Sequence, residues 1–179
     1  MCFTTIQISL QVNTFLTETM IFPPALWFGL AANREVLIEA HEHYQKRSFR
    51  NRYVLHSARD AVPMSIPLCA GKNESMPIRS VRLSRDAPWQ REHIRTLQTL
   101  YGRSPFYIYY ADELSALLDS QTEFLFDFNS EIIHWILQKL NLNILVKQTE
   151  SYDPHNNPDR WDLRSRLNPR KLGMAAFPP

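Results

Sequence analysis

The densest run of ionisable residues falls between two apolar stretches: Glu39, His41, Glu42, His43, Tyr44, Lys46, Arg47, Arg50 and Arg52. Connections of this kind often carry function, because a scaffold on either side can hold reactive side chains at an accessible edge. Three chemistries are open to these residues and their neighbours. If the preceding strand runs on through Glu39, a period of two places Glu39, His41 and His43 on one face and Val36, Ile38 and Ala40 on the other. Two imidazoles and a carboxylate form a facial metal-ligand set. His-x-His also occurs on exposed strands without any ion, so no metal is expected and this trio is the only alternative. Lys46, Arg47, Arg50 and Arg52 offer anion binding. In an extended segment Arg50 and Arg52 project to the same side, where two guanidinium forks suit phosphate or carboxylate. The plainer reading is a solvated face paired with Glu39 and Glu42.

The third chemistry is proton transfer. His93 shares a helical face with Gln90, Ile94 and Leu97, where a partly buried imidazole is easily tuned as an acid or base, or is simply a hydrogen-bonded structural group. Phe106, Tyr107, Tyr109 and Tyr110 follow Ser104-Pro105; their rings suit stacking on a sugar or base as well as core packing. Asn129 falls on the apolar face of a later helix and His134 on its polar face.

Short elements must position these groups. Pro23-Pro24 opens a helix over residues 25–32, and the aliphatic run 36–38 reads as a buried strand. Residues 48–56 and 62–68 read as two further strands, the second with Pro63 and Pro67 and therefore an edge. Ile78, Val81 and Leu83 suggest another short strand. A helix then begins with Asp86 as cap and Pro88 in its first turn and stops at Gly102. Helices are also expected over residues 106–118 and 123–140, and a last strand over 144–146. From residue 151 the composition turns to turn formers and then to a basic segment, which reads as a loosely held tail. Short mixed or antiparallel strands with about four helices define a single α+β domain.

With 179 residues and 44% hydrophobic content, one core is the natural arrangement. A net charge of +2 requires any anion site to come from local clustering, and no nucleic-acid partner is expected. Cys2 and Cys69 form no C-x-x-C pair, which suits a reducing cytoplasm. The opening stretch has no basic residue ahead of its apolar ones, and no run approaches the roughly 20 residues of a membrane span. Only four glycines, and no glycine-rich phosphate loop or G-x-S-x-G elbow, argue against P-loop, dinucleotide-binding and α/β-hydrolase enzymes. Nothing calls for a cofactor.

Phe22-Pro23-Pro24 and then Ile38-Glu39-x-x-Glu42-x-Tyr44-Gln45-Lys46-x-Ser48-Phe49-Arg50-Asn51-Arg52 resemble the signature of the WbqC-like family. The likeness continues through Leu68, Trp89, His93, Tyr101, Ser104-Pro105-Phe106, Tyr109-Tyr110-x-Asp112-Glu113-Leu114 and Asp127-Phe128-Asn129, covering roughly residues 15–146. It implies a part in O-antigen or related surface-glycan production, with amino-acid or acyl transfer to an amino-sugar intermediate. The glutamates, the aromatic, the lysine and Arg-Asn-Arg are the fixed elements, whereas the two histidines are not obligatory; this favours an anion site over a metal. Lys46, Arg50 and Arg52 would hold an anionic group such as that of a nucleotide sugar or activated amino sugar, with Asn51 fixing orientation and Glu42 or His93 handling the proton. Glu39, Tyr44, Trp89, Tyr109 and Tyr110 complete the expected substrate site. Arg50→Ala is then expected to abolish turnover while sparing the fold. The alternative is a non-catalytic module that binds a phosphorylated or acidic ligand with the same basic cluster.

Residues 1–14 are unlike the family start, residues 15–150 form the family domain, and 151–179 form the basic tail. The end at Phe177-Pro178-Pro179 lacks the aromatic continuation expected of the family, so the chain reads as a C-terminally truncated member.

Overall fold

A computed structural model describes residues 13–57, 61–69, 76–154 and 160–167. Among them, four strands form a parallel sheet in the order β5-β2-β1-β6, and two more form an antiparallel hairpin. The class is α+β, as the sequence implies, but the larger sheet is wholly parallel.

Strand β1 (Thr14–Glu18) is buried from Phe15 onward on both faces, as a central parallel strand requires. It returns to β2 (Glu35–Glu39) through helix α1 (Ala25–Ala31), and Glu18 lies beside Glu39 in register. Trp27 and Ala31, one turn apart, form the buried stripe of α1, and the Trp27 ring meets Phe15 edge-on at 5.7 Å. Asn33 then takes a left-handed φ of 61°, which asparagine tolerates better than most residues. The outer strands are β5 (Val146–Gln148) beside β2 and β6 (Trp161–Asp162) beside β1.

The hairpin joins β3 (Arg52–His56) to β4 (Ala61–Ser65), with Val54 opposite Pro63. In a two-strand sheet both strands are edges, which is where a proline fits. Ile78, Val81 and Leu83 do not form a strand of their own. Pro77 leads into a 3-10 turn over Ile78–Ser80, and isolated bridges tie Leu83 to Leu68 and Arg82 to Phe124. A spacing of three still brings Ile78 and Val81 into the core.

Helix α2 (Trp89–Tyr101) starts at Pro88 without a side-chain cap. Asp86 does not cap it, because its carboxylate accepts the Ser84 hydroxyl at 3.0 Å. Gly102 closes the helix where a side chain cannot fit: an added Cβ would lie 2.4 Å from the Gln98 carbonyl oxygen. Helix α3 (Tyr107–Leu118) sends only Leu118 fully into the core. Helix α4 (Leu125–Lys139) buries Leu125, Phe126, Phe128, Asn129, Ile132, Ile133 and Leu137, and so acts as the central post of the domain.

The described residues after 150 belong to this architecture. Leu163 and Leu167 are buried in the core and Leu163 N donates to Leu16 O, so a stretch that composition reads as tail extends the sheet. Among the described residues no helix is long and apolar enough to cross a membrane.

Candidate functional site

Each of the four parallel strands delivers a polar residue at or just beyond its carboxyl end. Glu18 is the last residue of β1 and Glu39 the last of β2; Thr149 follows β5, and Arg164 lies two residues past β6. In open sheets of parallel strands this edge is where ligands bind, since the chain there leaves the ladder and turns into loops that can be shaped freely.

Glu39 is wholly buried and saturated. Its Oε1 accepts from His41 N at 2.9 Å and Thr149 Oγ1 at 2.8 Å, and its Oε2 from Asp153 N at 3.0 Å and Arg164 Nη1 at 2.9 Å. Four donors fill the capacity of a carboxylate and fix it as a charged anchor for the chain crossing above it. Arg164 also reaches Asp162 Oδ2 at 2.7 Å and the Asp153 carbonyl at 2.6 Å.

Arg50 holds the second half of the network. Residues 46–50 form a turn, with Arg47 at φ 59°, and do not extend as a strand. The turn sends Arg50 inward to complete burial while Arg52, the first residue of β3, stays exposed. The two guanidiniums therefore do not form one clamp. Arg50 instead grips Glu42 with both oxygens, Nε to Oε1 at 2.8 Å and Nη2 to Oε2 at 2.5 Å. Its Nη1 lies 3.9 Å from Glu18 Oε1, and neither of these atoms has a hydrogen-bond partner among the described residues. Glu18 Oε2 accepts from Ser165 N at 2.9 Å. Three buried glutamates thus share two buried arginines, and burial raises the Glu42 carboxyl above the usual range against the opposing pull of Arg50.

Glu42 forms part of the wall of a polar cleft of about 560 Å³, with His41, His43, Tyr44, Tyr152, Arg164 and Ser165 around it. The Arg164 guanidinium sits over the Tyr152 ring, 5.4 Å from its centroid. Tyr44 donates to Asn51 Oδ1 at 2.9 Å and Asn51 Nδ2 to the Ile66 carbonyl at 2.8 Å, which ties the cleft wall to the hairpin. Lys46 is exposed just beyond Gln45 in that wall. Asn129, reaching up from α4, donates to the Arg50 carbonyl at 2.8 Å and to Thr19 Oγ1 at 3.2 Å.

The remaining expected site residues stand elsewhere. Glu39, His41 and His43 do not converge, because Glu39 is buried and saturated while His41 Nε2 lies 3.2 Å from the Thr149 carbonyl. Among the described residues no three His, Cys, Asp or Glu are grouped to hold a metal ion. His93 is buried, with Nδ1 2.9 Å from the Tyr53 hydroxyl and its ring against Trp89, whose indole donates to the Ser84 carbonyl. Tyr53 faces a second hollow, an apolar groove of about 590 Å³ that also takes in Tyr110, while Tyr109 projects into solvent. Glu42 thus lines the polar cleft, whereas His93 lines neither of these two hollows.

Burial lowers the His93 imidazole, against smaller opposing contributions from the Ser65 backbone and Glu92. A histidine held below its unfolded value contributes stability above pH ~6.5 that is lost on further acidification. Wild-type unfolding free energy should accordingly fall as pH drops below that point. His93→Phe should flatten the slope in pH-dependent urea titrations; an unchanged slope would remove His93 as its source.

Glu18, Thr149 and Arg164 escape a sequence reading focused on residues 39–52. An acid closing the strand-forming run Phe15-Leu16-Thr17 was the available signal for Glu18; nothing local distinguishes Arg164 from the other arginines of its basic segment.

The fold and this edge define an α+β protein with a polar cleft at the carboxyl ends of parallel strands, floored by buried ion pairs. Residues 19–168 match the family model described as the WbqC-like protein family, and the chain belongs to that family. No curated protein and no solved structure matches it.

Proposed function

We propose that the chain is a transferase of surface-glycan assembly that moves an amino-acid or acyl group onto an amino-sugar intermediate, with the cleft above Glu42 as the reaction site. Membership of the WbqC-like family supports the pathway class. The observation that carries the reaction class is Glu42, a carboxyl raised by burial, held in one orientation by Arg50 and placed in a cleft wall.

An amine attacking an acyl carbonyl forms the new C–N bond and must release a proton as the leaving group departs. Glu42 takes that proton, and its elevated basicity makes the transfer more favourable than for a solvated carboxylate. Arg50 cannot touch substrate at zero exposure and serves as a positioning residue for Glu42. Lys46 and the imidazoles of His41 and His43 are exposed in and beside the cleft wall, where they suit an anionic acceptor such as a nucleotide-linked amino sugar.

The test pairs binding with turnover. Nucleotide sugars, glycine and acyl donors are screened by thermal shift, and transfer to an amino sugar is followed by mass spectrometry. Glu42→Gln should keep the ligand-dependent shift and lose on the order of 10²–10⁴-fold in turnover. Full turnover in Glu42→Gln would sink the assignment, and binding without transfer by the wild type would make the cleft a recognition site only.

A further inference from the structure

We infer that Ser165 is a substrate-binding residue, which fixes the sugar ring of the acceptor in the polar cleft by a hydrogen bond to one of the ring hydroxyls. The inference rests on the transferase reading and names the part of the substrate that one wall of the cleft holds. Ser165 has a φ of 58°, in the left-handed region that is disfavoured for a residue with a Cβ. A buried carboxylate holds it there, since Glu18 Oε2 accepts from Ser165 N at 2.9 Å. Its neighbour Arg164 is held by Glu39 Oε2, also at 2.9 Å. The last residues of β1 and β2 thus pin two successive residues of this turn. Glycine would adopt the same φ without strain, so the turn by itself does not call for serine. Strained positions that the surrounding structure fixes in this way cluster at ligand sites.

The residue so placed lines the same cleft as Glu42, and its hydroxyl donates to Gln45 Oε1 at 3.1 Å. With that proton engaged, Ser165 Oγ offers lone pairs, and the Gln45 amide nitrogen offers N–H donors beside it. An acceptor next to a donor suits a hydroxyl, which gives one hydrogen bond and takes another. A diphosphate bridge has no proton to give and is matched instead by Lys46 and the exposed imidazoles. Tyr152 stands in the same cleft, half-exposed, with the Arg164 guanidinium 5.4 Å from its ring centroid. Its ring supplies an apolar surface for the carbon skeleton of a sugar, next to the pair that reads a hydroxyl. Transfer to the amine places the amino sugar at Glu42, so the hydroxyl at Ser165 belongs to that ring and not to the nucleotide.

Isothermal titration of the full chain with UDP-glucosamine and with UDP alone tests the inference, beside thermal unfolding of the free proteins. Ser165→Ala and Ser165→Gly should each weaken UDP-glucosamine binding roughly 3–10-fold, the loss expected for one neutral hydrogen bond, and leave UDP affinity unchanged. Ser165→Gly should do so while unfolding at the wild-type temperature or above it, because glycine relieves the left-handed φ. A merely structural serine would not lose affinity in a variant of undiminished stability. Unchanged UDP-glucosamine affinity in both variants would overturn the inference, as would an equal loss for UDP, which would move the contact to the nucleotide. A wild type that binds neither compound would overturn it together with the transferase reading. Binding of UDP-glucosamine that depends on Ser165, with no transfer onto the amine, would refute the transferase reading alone.

Discussion

Arg50→Ala should lower the stability of the protein by about 3–5 kcal/mol, the usual cost of removing one partner from a buried ion pair. For a chain of this size that is a fall of roughly 6–20 °C in Tm. The side chain is completely buried, grips both oxygens of Glu42 and lies 3.9 Å from Glu18 Oε1. Its loss leaves two buried carboxylates without their counter-charge. The expectation from sequence that this substitution spares the fold is therefore replaced: Arg50 is part of what holds the strand ends together. The pH dependence supplies an independent check. Without Arg50, which opposes the effect of burial, the Glu42 carboxyl is raised further above its unfolded value. Its favourable contribution is then complete only below the unfolded carboxylate range and is lost as pH rises through the raised value. The deficit relative to wild type should be greatest near neutrality and shrink on acidification. A second chain carrying Glu42→Gln with Arg50→Met should recover part of the loss, because only Glu18 is then left without its counter-charge. Chemical denaturation at two pH values measures all three; a deficit that is small at both would show that the network is dispensable for folding.

A chain stopped after Glu150 should show no cooperative unfolding transition. The cut removes β6, the buried side chains of Leu163 and Leu167, and Arg164, which neutralises Glu39. Burying two leucines contributes about 1.5–3 kcal/mol each, and stranding Glu39 costs a further ~3–5 kcal/mol. Together these approach the 5–15 kcal/mol by which a domain is ordinarily stable. The single substitution Arg164→Leu isolates the charge from the strand. It should destabilise by about 3–5 kcal/mol and expose the segment around Asp153 to limited proteolysis, because Arg164 Nη1 also holds the Asp153 carbonyl. A truncated chain that melts cooperatively near the wild-type temperature would return residues 151–167 to the status of a tail.

These two effects also mark where sequence reasoning succeeded and where it stopped. The helices were legible because their signals are local. Apolar residues recur at helical spacing in 89–101 and 125–139, and Gly102 ends α2 because no larger residue fits against Gln98. The buried strand at Val36 and Ile38 was legible for the same reason. Local signals failed where the outcome depended on a distant partner. Arg50 and Arg52 have the same residue type and adjacent alternation, yet one is buried and the other exposed, because a turn beside Glu18 and Glu42 captures only the first.

Residue type and order were enough to read the α+β class, the order of the helices, the charged connection after β2 and membership of the WbqC-like family. Tertiary structure alone decided that Glu18, Glu39, Thr149 and Arg164 meet at one edge, although they are spread across the chain from residue 18 to residue 164. Parallel pairing is the physical reason. Strands joined by crossovers align their carboxyl ends whatever lies between them, so residues remote in sequence become neighbours only once the ladder forms. The charge balance of the cleft, and with it the character of Glu42, exists only in that assembled state.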